Sequence, residues 1–342
     1  MAKKATIKDV ARVAGVSIST VSRVLNNSAN VESALKERVQ EAVKETKYTP
    51  NEIARSLKRK NSAMIAYVVS NTADPFFTFI SRGIEEVMYR NGYNIINCST
   101  NFSVERECSL LNTLYERRVD GIIINTVGNN DAEISKISQN IPTVLSNRMV
   151  SSSDFVGDFV DFDNVGGVIK LTNHLLELGH RRIAFLNGPI RLSTAKERQD
   201  GFLEGMRNAG LEIPKDYKYL INTEDTFSMQ DGYDAARKIM TMDQPPTAII
   251  ASNTEMALGA MKYCRKHNIS IPGEVSLCSF GNIAHQELMY VDITHTYTDL
   301  LVLGNRIGEM MLQRIAKDGA SQPNREVRFD TPLVLGDSTK AI

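Results

Sequence analysis

Residues 6–26 read TIKDVARVAGVSISTVSRVLN, and their apolar spacing decides what the first part of the chain becomes. Ile7, Val10, Ala11 and Ala14 recur at i, i+3, i+4 and i+7, which is one face of a short helix. Gly15 interrupts the run. Ser17 restarts it as an N-cap, its hydroxyl accepting an otherwise unpaired backbone N–H. Val21, Val24 and Leu25 turn the second helix towards the first. Ile18, Ser19, Thr20, Ser22 and Arg23 are left outward near its N-terminal end, where a helix-turn-helix presents side chains to base edges. A helical hairpin on a larger domain would satisfy the same spacing, so three further features decide between the two.

Charge is the first. The 342-residue chain carries 40 Lys+Arg and 40 Asp+Glu, yet residues 1–61 hold 13 basic and 6 acidic residues and the remainder 27 and 34. A basic end on an acidic body suits an end that neutralises phosphates. The second feature is a third helical period from Val31 to Lys44, with Leu35, Val39 and Val43 on one face, completing a head too small to bury much apolar surface. The third is YTPNEIARSLKRKNS (48–62). Pro50 pushes Thr49 out of the helical region and Asn51 can cap a helix. Ile53, Ala54 and Leu57 share a face among Arg55, Lys58, Arg59 and Lys60. A helix this short is below the roughly 12–15 residues that hold alone in water, so it is expected to form only with a partner. An apolar residue flanked by cations is what minor-groove proteins use to kink a base step.

TIKDVARVAGVSISTVSRVLN followed by YTPNEIARSL resembles the DNA-binding head and hinge helix of the lactose-repressor (LacI/GalR) family of bacterial transcription regulators. The resemblance continues through DPFF (74–77), DN (163–164), LLELGHRRIAFLNGP (175–189), ERQDGF (197–202) and EMALGA (255–260). It implies a dimeric repressor on double-stranded DNA with a palindromic operator. Thr6, Ser17, Ile18, Ser19, Thr20, Ser22, Arg23 and Asn26 would serve the major groove, with Arg23 on a guanine. Lys8 and Lys44 would hold phosphates. Asn51, Ala54, Arg55, Leu57 and Lys58 would serve the hinge, with Leu57 inserted at a central pyrimidine–purine step.

From Ser62 on, AMIAYVVS (63–70), YNIINCS (93–99), GIIINTV (121–127), PTVLSN (142–147), RIAFLNG (182–188), TAIIASN (247–253) and EVSLCSF (274–280) read as buried strands. Helical periods such as Phe79–Tyr89 and Val165–Leu178 lie between them. The expected fold is an N-terminal all-α helix-turn-helix head plus an α/β body of two doubly wound parallel-sheet lobes resembling periplasmic binding proteins. The expected division is 1–48 head, 49–61 hinge helix and linker, and 62–342 effector-sensing, dimerising core. Lobe one would take about 62–163 and 293–320, and lobe two about 164–292 and 321–342; the return crossings are implied by the resemblance.

Ligands of open α/β sheets bind beyond the strand C-termini, so the cleft between lobes is the expected pocket. Asp74, Phe76 and Phe77 follow the first strand, and Asn147 and Arg148 follow another. The resemblance adds Thr194, Arg198, Phe227, Asn253 and Asn282. An arginine fork with aromatic walls suits a small-molecule effector offering carboxylate, phosphate or vicinal hydroxyls, such as a sugar or a sugar derivative. Two departures count against an ordinary sugar. Thr254 precedes EMALG where many members have an aspartate near that point. Phe280-Gly281-Asn282 stands where a Phe-Asp-Asp turn is common, and Gly281 has no side chain to accept ligand hydrogen bonds. Either Asn282, Asn253 and Glu255 compensate, or the effector differs in kind, or a corepressor protein exerts control.

The chain is not expected to be an enzyme: GxGxxG, P-loop, GxSxG and HExxH motifs are absent. His174, His180, His267, His285 and His295 lack metal spacing, and His180 suits a structural turn. Cys98, Cys108, Cys264 and Cys278 form no CxxC pair, so neither cofactor nor metal is expected, and the thiols suit a reducing cytosol. An exported solute-binding protein is the competing class, and a sugar-binding enzyme on the same fold the third. MAKKATIKDV has no apolar h-region, and no stretch reaches the ~18 apolar residues of a membrane span, so a cytoplasmic protein, nucleoid-associated when on DNA, is expected. No heptad tail follows PLVLGDST (332–339), which favours a dimer over a tetramer.

Overall fold

The computed structural model describes residues 5–25, 32–48, 62–214, 216–316, 319 and 322–342. Asn26 and the expected hinge, with Asn51, Ala54, Arg55, Leu57 and Lys58, lie outside the described residues. The chain divides into two compact units, Met1–Ser62 and Ala63–Ile342.

In the first unit, α1 (Ile7–Ala14), α2 (Ile18–Leu25) and α3 (Ser33–Thr46) enclose Val10, Ala11, Ala14, Val21, Val24, Val39 and Ala42. Asp9 accepts from the Thr6 N–H at 2.9 Å and its hydroxyl at 2.7 Å, fixing the start of α1. At its end Gly15 has φ 62°, a left-handed conformation that a side chain would strain. Arg38 donates to the Ala14 carbonyl at 2.8 Å and closes the helix. Ser17 accepts the Thr20 N–H at 3.1 Å, so the N-cap is real. The third helix begins at Ser33 and turns Val39 and Ala42 inward, with Val43 at the rim, so the buried face is rotated from the one expected through Leu35.

The second unit contains two six-stranded sheets. The first holds β1 (Met64–Val69), β2 (Asn94–Ser99), β3 (Gly121–Ile124), β4 (Thr143–Ser146), β5 (Asp158–Phe162) and β11 (Glu326–Phe329), in the order β11-β5-β4-β3-β1-β2. The second holds β6 (Ile183–Asn187), β7 (Leu220–Asn222), β8 (Ala248–Ala251), β9 (Ser276–Ser279), β10 (Thr294–Thr296) and β12 (Leu333–Val334), in the order β12-β10-β9-β8-β6-β7. Among the described residues every pairing is parallel except β10 with β12, so the expected parallel sheets are found, with one antiparallel strand at the edge of the second. The helices α4 (Pro75–Arg90), α5 (Val104–Glu116), α6 (Asp131–Ser138), α7 (Asn164–Glu177), α8 (Ser193–Asn208), α9 (Met229–Met240), α10 (Thr254–Lys266) and α11 (Leu300–Ile315) lie between strands.

The chain passes to the second sheet after β5, returns after β10 and passes over again after β11. The lobe limits therefore differ from those expected. Thr294–Thr296 belongs to the second sheet and Glu326–Phe329 to the first, since each pairs with a strand there. The crossings are laced together: Asp163 N–H donates to Phe329 O at 2.8 Å, Tyr297 N–H to Pro332 O at 2.9 Å, and the Thr331 hydroxyl to Asp163 O at 3.2 Å. Asp158, fully buried at the start of β5, accepts from Arg314 at 2.6 Å and Arg325 at 2.5 Å, fastening the returning segment to the first sheet.

Two helix pairs pack backbone against backbone. A Cβ at Gly304 would lie 2.2 Å from Ile80 O, and one at Gly83 2.4 Å from Leu301 O, where α11 crosses α4. In the second lobe a Cβ at Gly259 would lie 2.1 Å from Met229 O, and one at Gly232 2.3 Å from Met256 O. Gly304→Ala is expected to force the helices apart and cost about 1–3 kcal/mol in a urea titration; an unchanged midpoint would mean that the crossing relaxes freely.

Candidate functional site

On the head, Ser17, Ile18, Ser19 and Arg23 are exposed, and Thr20 and Ser22 are half-buried. Val21 and Val24 hold the opposite face of α2 in the core, which fixes this orientation. Ser17 Oγ lies 2.7 Å from Ser19 Oγ and 2.9 Å from Thr20 Oγ1, so the N-terminal hydroxyls form one cluster. The side chain of Ile18, 44% exposed, is an apolar contact of the kind a thymine methyl accepts. Thr6 is exposed with its hydroxyl on Asp9, and Lys8 and Lys44 are exposed.

In the second unit, residues following β4 meet residues following β6 and β7. Met149 N–H donates to Ser193 Oγ at 2.9 Å, and the Arg148 guanidinium sits 5.8 Å from the Phe227 ring centroid. These contacts draw the two lobes together around Asn147, Arg148, Thr194, Arg198 and Phe227, all buried. Arg148 donates from Nη1 to Thr126 O at 2.8 Å, while its buried Nε has no partner among the described residues. Arg198 donates from Nε to Asn164 Oδ1 at 2.8 Å and from Nη1 to Ser252 O at 2.7 Å, and lies 4.1 Å from the Phe280 ring centroid. Burial pushes the Arg148 side chain down to about 10, assisted by the positive charge of Arg198. Burial lowers Arg198 to about 10 as well, against the opposing pull of Asp161 and Glu197. Both stay protonated at neutral pH.

The remaining expected residues divide by what occupies them. Asp74 caps α4 by accepting the Phe76 N–H at 2.9 Å, and burial raises its carboxyl above the usual range. Phe76 is half-buried with its ring 6.0 Å from that of Phe162, while Phe77 lies in the main core cluster. Asn253 caps α10 through Met256 N–H at 2.9 Å and donates to Phe227 O at 3.1 Å, so both ends of its amide are used in holding the loop. Asn282 is half-exposed beside Gly281, whose φ is 93° and whose N–H donates to Thr296 Oγ1 at 2.9 Å.

Several participants escaped sequence reasoning. Asn164 joins Arg198 to Asp161 at 2.8 Å and to Glu197 at 2.9 Å, which the DN landmark at 163–164 could have signalled. Burial drives the Asp161 carboxyl well above the usual range. Glu107, fully buried, accepts from Thr126 Oγ1 and Val127 N, each at 2.9 Å, and so shapes the loop whose carbonyl receives Arg148. His180 is placed structurally, bonded to Thr247 at 2.9 Å and to Lys340 O at 3.0 Å. Among the described residues, no group of His, Cys, Asp and Glu is arranged to hold a metal, and no helix is long and apolar enough to cross a membrane.

The family described as "Bacterial regulatory proteins, lacI family" matches residues 6–51, and that described as "Periplasmic binding proteins and sugar binding domain of LacI family" matches residues 62–331. The HTH-type transcriptional repressor PurR of Haemophilus influenzae is 31% identical over 341 residues, 99% of each chain. The ribose operon repressor of Escherichia coli K12 is 30% identical over 333 residues, 97% of this chain and 98% of its own. A lac repressor dimer bound to operator and the anti-inducer ONPF has a similar structure, with a TM-score of 0.84 at 26% identity over 99% of this chain and 100% of that one. A CelR–cellobiose complex gives 0.72 at 25% identity, over 98% and 100%.

Proposed function

The chain belongs to the lacI family of bacterial regulatory proteins, and on that footing we propose that it is a sequence-specific DNA-binding repressor controlled through the cleft of its α/β body. The observation that carries this is the outward face of α2, with Ser17, Ile18, Ser19 and Arg23 exposed on a basic head. It reads a palindromic operator as a homodimer, Arg23 contacting a guanine and Lys8 and Lys44 phosphates. Residues 1–48 are the head, 49–61 the hinge and 62–342 the effector-sensing core. The effector is a polar small molecule held by Arg148, Arg198 and Phe227, with Phe76, Asn147 and Thr194 around it. It changes DNA affinity only by its differential affinity for the DNA-competent and incompetent forms. Gly281, bare where sugar-responsive members carry an aspartate, favours a second reading in which a corepressor protein takes the sugar's part.

Selection of a labelled palindromic library by the purified protein at fixed salt tests the reading. An enriched palindrome with a central pyrimidine–purine step supports it; no enrichment, alone or with candidate effectors, overturns it. Within the selected site, Arg23→Ala is expected to cost about 1–3 kcal/mol and relax preference at one base pair. Arg198→Ala is expected to lower effector affinity at least ~30-fold, the low end for removing one partner of a buried charged contact, with ligand-free operator affinity near normal. An unchanged ligand response would take Arg198 out of the pocket.

A further inference from the structure

Arg148 and Arg198 enter the cleft from opposite lobes, each only 6% exposed, and among the described residues neither forms an ion pair. A buried guanidinium ordinarily has a carboxylate against it, because leaving a charge in a low-dielectric interior unpaired is costly. Three of the four nearby carboxylates are occupied elsewhere: Glu197 pairs with Arg328 at 3.0 Å, Glu107 is held by Thr126, Val127 and Asn130, and Asp74 caps α4. The fourth, Asp161, accepts from Asn164 through Oδ2 and leaves Oδ1 unpartnered among the described residues, but it bonds neither arginine and its full burial disfavours its charged form. Arg148 is the more deprived of the two: among the described residues its one acceptor is the Thr126 carbonyl, and its Nε is buried without a partner. Beside it the buried Asn147 leaves Oδ1 unpartnered and supplies no charge. Gly281, at the turn after β9, offers no carboxylate either.

We infer that the effector is an anion, a small polar molecule whose phosphate or carboxylate group lies between Arg148 and Arg198 and supplies the direct ion pair that both lack. This rests on the reading of the cleft as the effector site. A planar guanidinium with free N–H groups on each side suits two-point contact with either oxyanion. A neutral polyol would accept the same hydrogen bonds but bring no direct counter-charge to either guanidinium. Phe227 and Phe280, stacked near the two guanidiniums, wall the group from water and strengthen its attraction.

Thermal melting of the full chain tests this with inorganic phosphate, D-glucose 6-phosphate and D-glucuronate, each compared with D-glucose at about 10 mM and one ionic strength. At least one anion is expected to raise the midpoint by about 3 °C or more, while D-glucose does not. The phosphate and uronate arms tell the two oxyanions apart. Asn147→Asp places a carboxylate of the same size beside Arg148. It is expected to raise the ligand-free midpoint and abolish the anion's gain; Arg148→Gln abolishes the gain as well. If none of the three anions shifts the wild-type midpoint, or if Asn147→Asp retains the full gain, the inference is overturned. A shift with D-glucose that equals the anions' and disappears in Arg198→Ala overturns only the anionic class and leaves the cleft as the effector site.

Discussion

Asp158→Ala is expected to lower the melting midpoint by about 6–15 °C, the loss of about 3–5 kcal/mol. Asp158 is fully buried and receives Arg314 at 2.6 Å and Arg325 at 2.5 Å, and Arg314 is itself only 2% exposed. Removing the carboxylate leaves Arg314 buried with, among the described residues, backbone acceptors only: Gln322 at 2.9 Å, Pro323 at 2.7 Å, and Gly319 and Gly157 each at 3.3 Å. Arg325, 30% exposed, can turn to water, so most of the loss comes from Arg314. Burial alone would raise the Asp158 carboxyl, but the hydrogen bonds from Arg314 and Arg325 outweigh it and hold the group below the usual carboxylate range. A depressed folded value stabilises the protein above the unfolded value of about 3.9, and that contribution disappears as the pH falls through the folded value. The difference between wild type and variant should therefore be constant at neutral pH and shrink only in acid below that point. A difference of less than about 1 kcal/mol at pH 7, typical of an exposed pair, would mean that Arg314 finds another partner.

Leu57→Ala is expected to weaken selected-operator binding by about 10–100-fold, since wedging a base step apart is an event of a few kcal/mol and each 1.4 kcal/mol is about tenfold. Nonspecific binding rests on phosphate neutralisation, which the substitution leaves alone, and is expected to change little. The ratio of the two affinities is the decisive quantity. Gel-shift titrations on the selected palindrome and on random duplex at one salt concentration give it directly. Equal losses on both duplexes would remove Leu57 as the wedge and reduce the segment to a tether.

The head was legible because its logic is local: the Ser17 cap, the break at Gly15 and the inward valines all fall within a few residues of one another. The long apolar strands were legible for the same reason. β5 was not, because DFVDF puts aspartates at fully buried positions, Asp158 held by the distant Arg314 and Arg325 and Asp161 bonded by Asn164. β7, β10 and β12 are too short to show an alternation, at 3, 3 and 2 residues. In the cleft, the arginines could be named in advance, by strand end for Arg148 and by resemblance for Arg198. Their partners could not. Arg198 meets Asn164 across 34 residues and Ser252 across 54, and no sequence window spans such a distance.

The glycine crossing of α4 and α11 has a mechanical consequence. Where side chains interdigitate, a small displacement is absorbed by rotamers; where Gly83 and Gly304 bring two backbones into contact, nothing is available to yield. The two helices must therefore translate as a single strut. One end of that strut is Asp74-Pro75-Phe76, beside the crossing strand that carries Phe162, and the other end is fastened through Arg314 to Asp158. A displacement at Phe76 is therefore expected to travel along the helix pair towards Arg314 and Asp158 instead of being absorbed by rotamer changes at the crossing.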